Sequence, residues 1–471
     1  MPKFYFECTK CGSRFGGDSL RCPMCGGVFI TRYEDISWDL ANRSDMWRYS
    51  KLLPLPRTNF VSLGEGSTPL IRANNLARFL GLREILIKDE TRNPTGSFVD
   101  RGVSVVVSNI KRGQEVVCPT RGDTGASLAV YAAKASIRAK IYVPQDVDMG
   151  KLYIMLLAGA EVRVVPDFLS ALYLAEVESR EAKIFMETSP LYIEGIKTIA
   201  YEIVEQLELS TPDAILVPVG SGALIFALWK GFKELRDLGI VDETPKLIGV
   251  QVRGADHVAR LFLRSPLAGP SKGTMARDIE LFIPELAEIA IQAIRNSSGT
   301  MISVDEKKIP EYTKILAQTE GIIAEPSAIL PIIAIKELLE KSELSPDMRI
   351  VAVVTGSGLR TPNILRGILP IESLLRRVIG EPHTSRPMRI GETKIQILKI
   401  LGQKPQHGYG IRKELLKQYN KRLSMPTIYQ HLKELESMGL VNRIEKKDKK
   451  RKVIYILTKK GIELINQAHI S

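Results

Sequence analysis

The chain has 471 residues, 44% of them hydrophobic and 25% charged, the profile of a soluble globular protein long enough for about three domains. No apolar run reaches the ~18 residues of a membrane span. The opening Met1–Cys8 lacks the apolar core of a signal peptide, so the expected location is the cytoplasm, with no membrane partner. The net charge of +13 falls entirely in the last fifth of the chain: residues 386–471 hold 20 Lys and Arg against 7 Asp and Glu, while the preceding 385 residues hold 46 of each sign. Such segregation points to a nucleic-acid surface at the C-terminus rather than to a generally basic protein.

Residues 1–27 form a cysteine module. Cys8, Cys11, Cys22 and Cys25 are spaced C-x2-C-x10-C-x2-C, and glycine follows each pair. Four thiolates at this spacing fit a closed tetrahedral zinc site, a disulfide pair or iron–sulfur centre being the other chemistries open to them. A segment this short has too little core to fold without a staple, and four protein ligands leave no open position, so the zinc is expected to be structural. The fifth cysteine, Cys118, falls on a predicted strand and reads as a core residue.

Residues 28–383 alternate short β-branched runs with amphipathic helical ones. Ile85–Lys88, Lys140–Val143, Ala214–Pro218, Leu247–Gln251 and Ile350–Val354 are the clearest strands. Strands separated by helices predict an α/β architecture with parallel sheets covered on both faces. Glu381–Pro387 has linker composition, and a basic module of 388–471 comes after it.

Seven segments of the middle region carry a resemblance. They are Ser62–Leu70 (SLGEGSTPL), Lys88–Phe98 (KDETRNPTGSF), Arg121–Ser127 (RGDTGAS), Glu194–Glu202 (EGIKTIAYE), Val217–Gly222 (VPVGSG), Glu320–Pro326 (EGIIAEP) and Val354–Gly358 (VTGSG). In this order they resemble the threonine synthase family, which implies the two-subdomain fold-type II architecture of pyridoxal phosphate enzymes. The short cysteine ribbon also resembles the N-terminus of some of those enzymes. The resemblance implies a ligand pocket built from Ser97, Asp123, Thr124, Gly125, Ser127, Lys197, Gly220, Ser221, Gly222 and Thr355. Gly220, Ser221 and Gly222 would cradle a phosphate, with amides aimed from a helix N-terminus. Thr355 would meet the pyridine nitrogen.

One position breaks the pattern. The family's Schiff-base lysine comes directly after the Ser-Phe pair, and here that residue is Val99. Valine has no amine, so neither the imine nor the lysine's acid–base role can form at this position. No catalytic residue is therefore assigned. Asp123 replaces an asparagine that would face the cofactor's anionic ring oxygen, and a carboxylate there repels it. Pyridoxal phosphate could enter such a pocket only without a Schiff base at position 99. Lys88, the nearest upstream lysine, belongs to a strand end and is expected to point elsewhere.

The C-terminal module predicts three helices and a winged hairpin. Ile395, Leu398 and Leu401 share one face of the first helix, and Gln406–Leu416 opens the second. Ser424 caps the third, with Pro426 in its first turn. Two strands near Val441–Glu445 and Val453–Leu457 flank the basic tip Lys446–Lys452. His407–Gly410, Thr427–Glu436, Gly439–Val441 and Tyr455–Gly461 resemble the winged helix-turn-helix of PadR-type regulators. Ile428, Leu432 and Leu435 should face the core. That leaves Thr427, Tyr429, Gln430 and Lys433 for the major groove, and Lys449, Lys450, Arg451 and Lys452 for phosphates.

The combined expectation is a homodimeric DNA-binding transcription regulator. Its inactive threonine synthase-like core would sense an amino-acid-like or phosphorylated small molecule. The competing expectation is a threonine synthase-type lyase with a regulatory DNA-binding tail.

Overall fold

In the computed structural model the chain divides into two compact units, Met1–Pro370 and Ile371–Ser471. The structure describes residues 2–15, 21–54, 60–178, 183–184, 189–266, 273–281, 284–368, 391–446 and 452–467. The predicted linker at 381–387 lies outside them.

The first unit opens with a three-stranded antiparallel ribbon, β1 (Phe4–Cys8), β2 (Arg14–Phe15) and β3 (Phe29–Tyr33), in the order β2-β1-β3. Its last strand runs to Tyr33, past the boundary expected at residue 27. Alternation explains why: Phe29 buries with Cys8 and Cys22, while Val28 and Ile30 enter the main core. The ribbon is therefore stitched to the body of the unit by its own third strand.

Two sheets make up that body. The larger has the order β12-β11-β10-β13-β5-β4. It comprises β4 (Leu70–Arg72), β5 (Glu84–Asp89), β10 (Ala214–Pro218), β11 (Lys246–Val252), β12 (Thr300–Val304) and β13 (Arg349–Val354). Only β4 runs antiparallel to its neighbour. The smaller sheet, β8-β7-β6-β9, is parallel throughout. It comprises β6 (Glu115–Pro119), β7 (Arg138–Pro144), β8 (Glu161–Val165) and β9 (Lys183–Ile184). The five strands expected from the sequence fall within β5, β7, β10, β11 and β13. Their residues are apolar without alternation because helices cover both faces, and Ile350–Val354 is buried at every position. Cys118 lies buried on β6.

The helices of this unit are α1 (Asn74–Leu80), α2 (Val99–Ser108), α3 (Asp123–Ala135), α4 (Met149–Leu157), α5 (Phe168–Glu178), α6 (Pro190–Ile196), α7 (Thr198–Gln206), α8 (Ala223–Asp237), α9 (His257–Phe262), α10 (Ala287–Asn296), α11 (Ile309–Glu320), α12 (Leu330–Glu340) and α13 (Pro362–Ile368). Helix α2 holds five valines, poor helix formers, yet all ten of its residues are buried, so packing overrides propensity. It lies against α6 through two glycines. A Cβ on Gly102 would sit 2.3 Å from the Tyr192 ring, and one on Gly195 would sit 2.0 Å from the Arg101 carbonyl oxygen. This close crossing fixes the start of α2, and with it position 99.

The second unit comprises α14 (Glu392–Gln403), α15 (Gly408–Tyr419), α16 (Met425–Ser437), the antiparallel hairpin β14 (Val441–Lys446) and β15 (Lys452–Leu457), and α17 (Lys459–Gln467). Ile428, Leu432 and Leu435 are fully buried, joining Leu398, Leu401, Ile411 and Leu415 in one core. Among the described residues, no helix is long and apolar enough to cross a membrane.

Candidate functional site

The strand ends of the larger sheet and the N-termini of α2, α3 and α8 converge on one cavity of about 60 Å³. Its lining includes Val99, Asp123, Gly220, Ser221, Gly222, Asp278, Glu325 and Thr355. Val99 is 2% exposed and begins α2, so the position that resemblance assigns to an amine presents an isopropyl group to the cavity. Gly222 has φ +96°, and a Cβ there would lie 2.9 Å from the Ala290 side chain and 3.1 Å from the Leu286 carbonyl oxygen. Glycine is required for α8 to start this close to α10.

An ion cluster borders the cavity. Lys151, on α4 and 3% exposed, places Nζ 2.5 Å from Asp123 Oδ1, 2.5 Å from Asp278 Oδ1 and 3.4 Å from Glu325 Oε2. Arg360 pairs with Asp123 and lies 3.4 Å from Glu325 Oε2. Three carboxylates thus face two cations, all buried or nearly so. Burial alone would raise the pKa of Asp123, but Arg360 and Lys151 outweigh it and hold this carboxyl ionised, well below the usual range. Burial also opposes the charge on Lys151, yet Asp123, Asp278 and Glu325 keep its ammonium protonated far above the ordinary lysine range. Glu325 takes the opposite course: burial, with Asp123 beside it, pushes its pKa up to about 7.

The other residues expected here divide. Ser97 donates to Asp123 Oδ2 at 3.2 Å and stays at the site. Thr124 and Gly125 come directly after Asp123 in the first turn of α3, and a Cβ on Gly125 would press on Thr120 and Ile141. Ser127 turns away and donates to Asp100 Oδ1 at 2.6 Å. Lys197 is not brought to the cavity lining. It is fully buried in a separate ion box, 2.5 Å from Glu194 Oε2 and 2.8 Å from Glu234 Oε2, with Lys230 closing the box and the Tyr33 ring 4.4 Å away. Lys88 also points elsewhere, donating to Glu202 and to the Thr68 carbonyl, each at 2.7 Å. Sequence reasoning missed Lys151, Asp278, Glu325 and Arg360. Of these, only Glu325 lies in one of the seven family-like segments.

These residues do not fit pyridoxal phosphate held as an imine. Position 99 offers no nitrogen, and Lys151, the amine at the cluster, is kept cationic and therefore non-nucleophilic. The carboxylate surplus repels the cofactor's anionic ring oxygen. Borohydride reduction after incubation with pyridoxal phosphate should leave no lysine in this cavity tagged. A phosphopyridoxyl adduct mapped by mass spectrometry to Lys151 would refute that expectation.

The four ribbon thiols lie within 4.8 Å of one another, with Cys8–Cys25 at 3.4 Å and Cys11–Cys22 at 3.6 Å. Sulfurs about 3.8 Å apart are what a tetrahedral zinc requires.

In the second unit, Ser424 caps α16 by accepting from the Thr427 amide. Tyr429, Gln430 and Lys433 are exposed on the outer face of α16, and Thr427 is half-buried. The Tyr429 ring packs over Gly408, where a Cβ would stand 3.0 Å from it. Gln430 is held by Glu434 at 3.2 Å. Of the expected phosphate contacts, Lys449, Lys450 and Arg451 lie outside the described residues. Lys452 opens β15, and its side chain is not described.

The fold and loop set define the class: residues 61–356 match the pyridoxal-phosphate dependent enzyme family, and the chain belongs to it. Its similar relatives are threonine synthases. That of Methanocaldococcus jannaschii is 39% identical over 76% of this chain and 93% of its own length; that of Methanosarcina acetivorans is 35% identical over the same shares. Among solved structures, a fungal L-serine ammonia-lyase from Rhizomucor miehei superposes with a TM-score of 0.57 at 21% identity, over 64% of this chain and 99% of that one. The processed threonine deaminase isoform 2 of Solanum lycopersicum gives 0.54 at 23% identity, over 65% and 83%. At that identity the likeness concerns the fold. Residues 397–467 match the transcriptional regulator PadR-like family.

Proposed function

We propose that the protein is a DNA-binding transcription regulator whose threonine synthase-like core has become a ligand sensor without catalytic activity. The observation that carries this reading is Val99, facing the cavity from the start of α2 where the enzymes of the family need an amine. The basic PadR-like module supplies the DNA-reading half. Its exposed Tyr429, Gln430 and Lys433 meet base edges, and the basic wing tip meets phosphates.

The ligand is a small amino-acid-like molecule. Its ammonium would face the carboxylate surplus, and its anionic end, carboxylate or phosphate, would face the amides of Gly220–Gly222. The Thr355 hydroxyl lines the same cavity. A ligand changes DNA affinity only by binding two conformations unequally. The cluster supplies such an element, because Lys151 stands on a helix beside the smaller sheet while Asp278 and Glu325 lie beside the larger. The ribbon holds a structural zinc, and the functional species is a homodimer.

A second reading, an active lyase that releases phosphate from O-phosphohomoserine, draws on the relatives' names and requires an amine this cavity does not offer in neutral form. Phosphate release above blank by the purified protein would favour the second reading; its absence, together with retention of genomic duplexes at low salt, would favour the first. Failure to retain any duplex would sink the regulator. For a bound duplex, Lys433→Ala is expected to weaken binding by about 1–3 kcal/mol and to relax sequence preference at the base it reads. An unchanged affinity and preference would remove Lys433 from the interface.

A further inference from the structure

Residues 273–281 run from the larger sheet to the elements around the smaller one. At their base, just past β12, the Thr274 hydroxyl donates to Glu306 Oε1 at 2.9 Å, and the Met275 amide donates to the same oxygen. In the middle, Asp278 and Ile279 lie on the glycine loop: a Cβ on Gly220 would stand 3.2 Å from Ile279 Cα and 3.4 Å from the Asp278 carbonyl oxygen. Three side chains then reach the other side. Arg277 donates to the Asp146 carbonyl after β7, Asp278 holds Lys151 on α4 at 2.5 Å, and Glu280 lies 3.6 Å from Arg121, two residues before α3. The segment thus sets its backbone on the loop suited to an anion and a carboxylate on each of two cations. The cavity left beside it, about 60 Å³, is far below the roughly 300–1,000 Å³ of ordinary ligand pockets.

We propose that residues 277–280 are a self-occluding strap, an internal counter-ion that a phosphorylated amino acid displaces. This rests on the reading of the cavity as a ligand site, and adds what keeps that site shut and which ligand group opens it. Seated, the strap sets the carboxyls of Asp123, Asp278, Glu280 and Glu325 against Lys151, Arg360 and Arg121, a surplus of one carboxyl. Lifting it withdraws Asp278 and Glu280 and leaves two carboxyls facing three cations. The site changes sign, from repelling an anion to attracting one. Arg277 and Asp146 are about half exposed, so their pair adds little to the closed form. With the strap lifted, the amides of Gly220–Gly222 lose their backbone cover and can donate to phosphate oxygens, and Lys151 takes a phosphate oxygen where Asp278 stood. Asp123 and Glu325 remain for the ligand's ammonium. An amino acid without phosphate gains less, because only a dianion replaces both departing carboxylates. A ligand that binds only the open form has its apparent affinity reduced by the open fraction, so the strap also sets the concentration at which the site fills.

The test is hydrogen exchange, read by mass spectrometry, at the amides of residues 276–281 of the full-length protein. O-phospho-L-serine is the probe, and L-serine at matched ionic strength is its control. The Ile279 and Glu280 amides donate to the Ala276 and Arg277 carbonyls, so they exchange slowly until the strap opens. Saturating O-phospho-L-serine should speed exchange there by about 10-fold or more, and L-serine should leave it unchanged. Asp278→Asn with Glu280→Gln should exchange at the faster rate without ligand. By titration calorimetry the same variant should bind O-phospho-L-serine about 10-fold more tightly than wild type. Should the double variant fail to fold, Glu280→Gln alone should show both changes at about threefold. Binding without faster exchange overturns the strap and keeps the cavity as a ligand site. An equal response to L-serine, or a variant that binds no more tightly than wild type, also overturns the proposal. A probe that neither form binds removes the strap and the ligand-site reading together. A strap that responds in a protein retaining no duplex leaves this inference standing and removes the regulator.

Discussion

Replacing Lys151 with methionine is expected to cost about 3–5 kcal/mol at pH 8, as removing one partner of a buried ion pair does, and much less at pH 5. The variant leaves Asp123, Asp278 and Glu325 facing Arg360 alone. Asp123 then loses one of the two cations that hold it low, while Asp278 and Glu325, already above their unfolded values, rise further. Carboxyls of that kind hold protons the unfolded chain has already released, so the stability they contribute is present at low pH and lost as pH climbs through the folded values. Wild type carries a smaller form of this trend through Glu325, pushed up to about 7 by burial and by Asp123. Glu325→Gln should therefore stabilise wild type at pH 8, leave it unchanged near pH 4, and recover part of the loss in the Lys151→Met background. Thermal melts at the two pH values decide: a gap of about 5 °C at pH 8 that narrows at pH 5 is the expected pattern. An equal loss at both would mean that Lys151 serves only by packing.

Stripping the metal should have a comparably large effect on the N-terminal end. Structural zinc contributes on the order of 10 kcal/mol to folding a small cysteine module. A strong chelator, or Cys22→Ser, is expected to unfold the ribbon, which has few apolar residues of its own. Trypsin should then cut at Arg14 and Arg21, sites that zinc-loaded protein protects. Metal analysis of the untreated protein should give about one zinc per chain. A colourless protein containing no metal, equally resistant to trypsin with and without chelator, would argue against the site. Visible absorption removed by the chelator would point to an iron–sulfur centre instead.

Much of this architecture could be read from residue order. Short β-branched runs separated by helices foretell buried parallel strands, because a strand covered on both faces has no reason to alternate. The cysteine spacing foretells the ribbon, and the third helix of the basic module declares its buried face through Ile428, Leu432 and Leu435. The ion cluster was not legible. Lys151, Asp278 and Arg360 are separated by 80 residues or more along the chain, and nothing local distinguishes them from surface charges. Only the folded chain brings them to one ion cluster at the cavity's border. Lys197 shows the converse error. Its segment resembles a family signature, but its amine is fully taken up by Glu194 and Glu234. The ribbon's boundary was set at its last cysteines, whereas burial of Val28 and Ile30 carries the strand on to Tyr33.

The seat of Tyr33 has a consequence for how the chain is made. Its hydroxyl donates to Glu194 at 2.5 Å, and the Lys197 and Lys230 ammonium groups stand 4.4 and 4.9 Å from its ring. The charged wall of that seat, Glu194, Lys197, Lys230 and Glu234, is translated long after the ribbon itself. At ordinary synthesis rates of ~5–20 residues per second, the roughly 200 residues between Tyr33 and Glu234 take about 10–40 s to appear. The cysteine module has time to gather its four thiols during that interval, but it must wait undocked, with Val28, Ile30 and Tyr33 uncovered. With zinc on its thiolates as proposed, early metal capture and late docking would be separate events in the life of the nascent chain, and a shortage of zinc would strike the first of them, before the pocket exists.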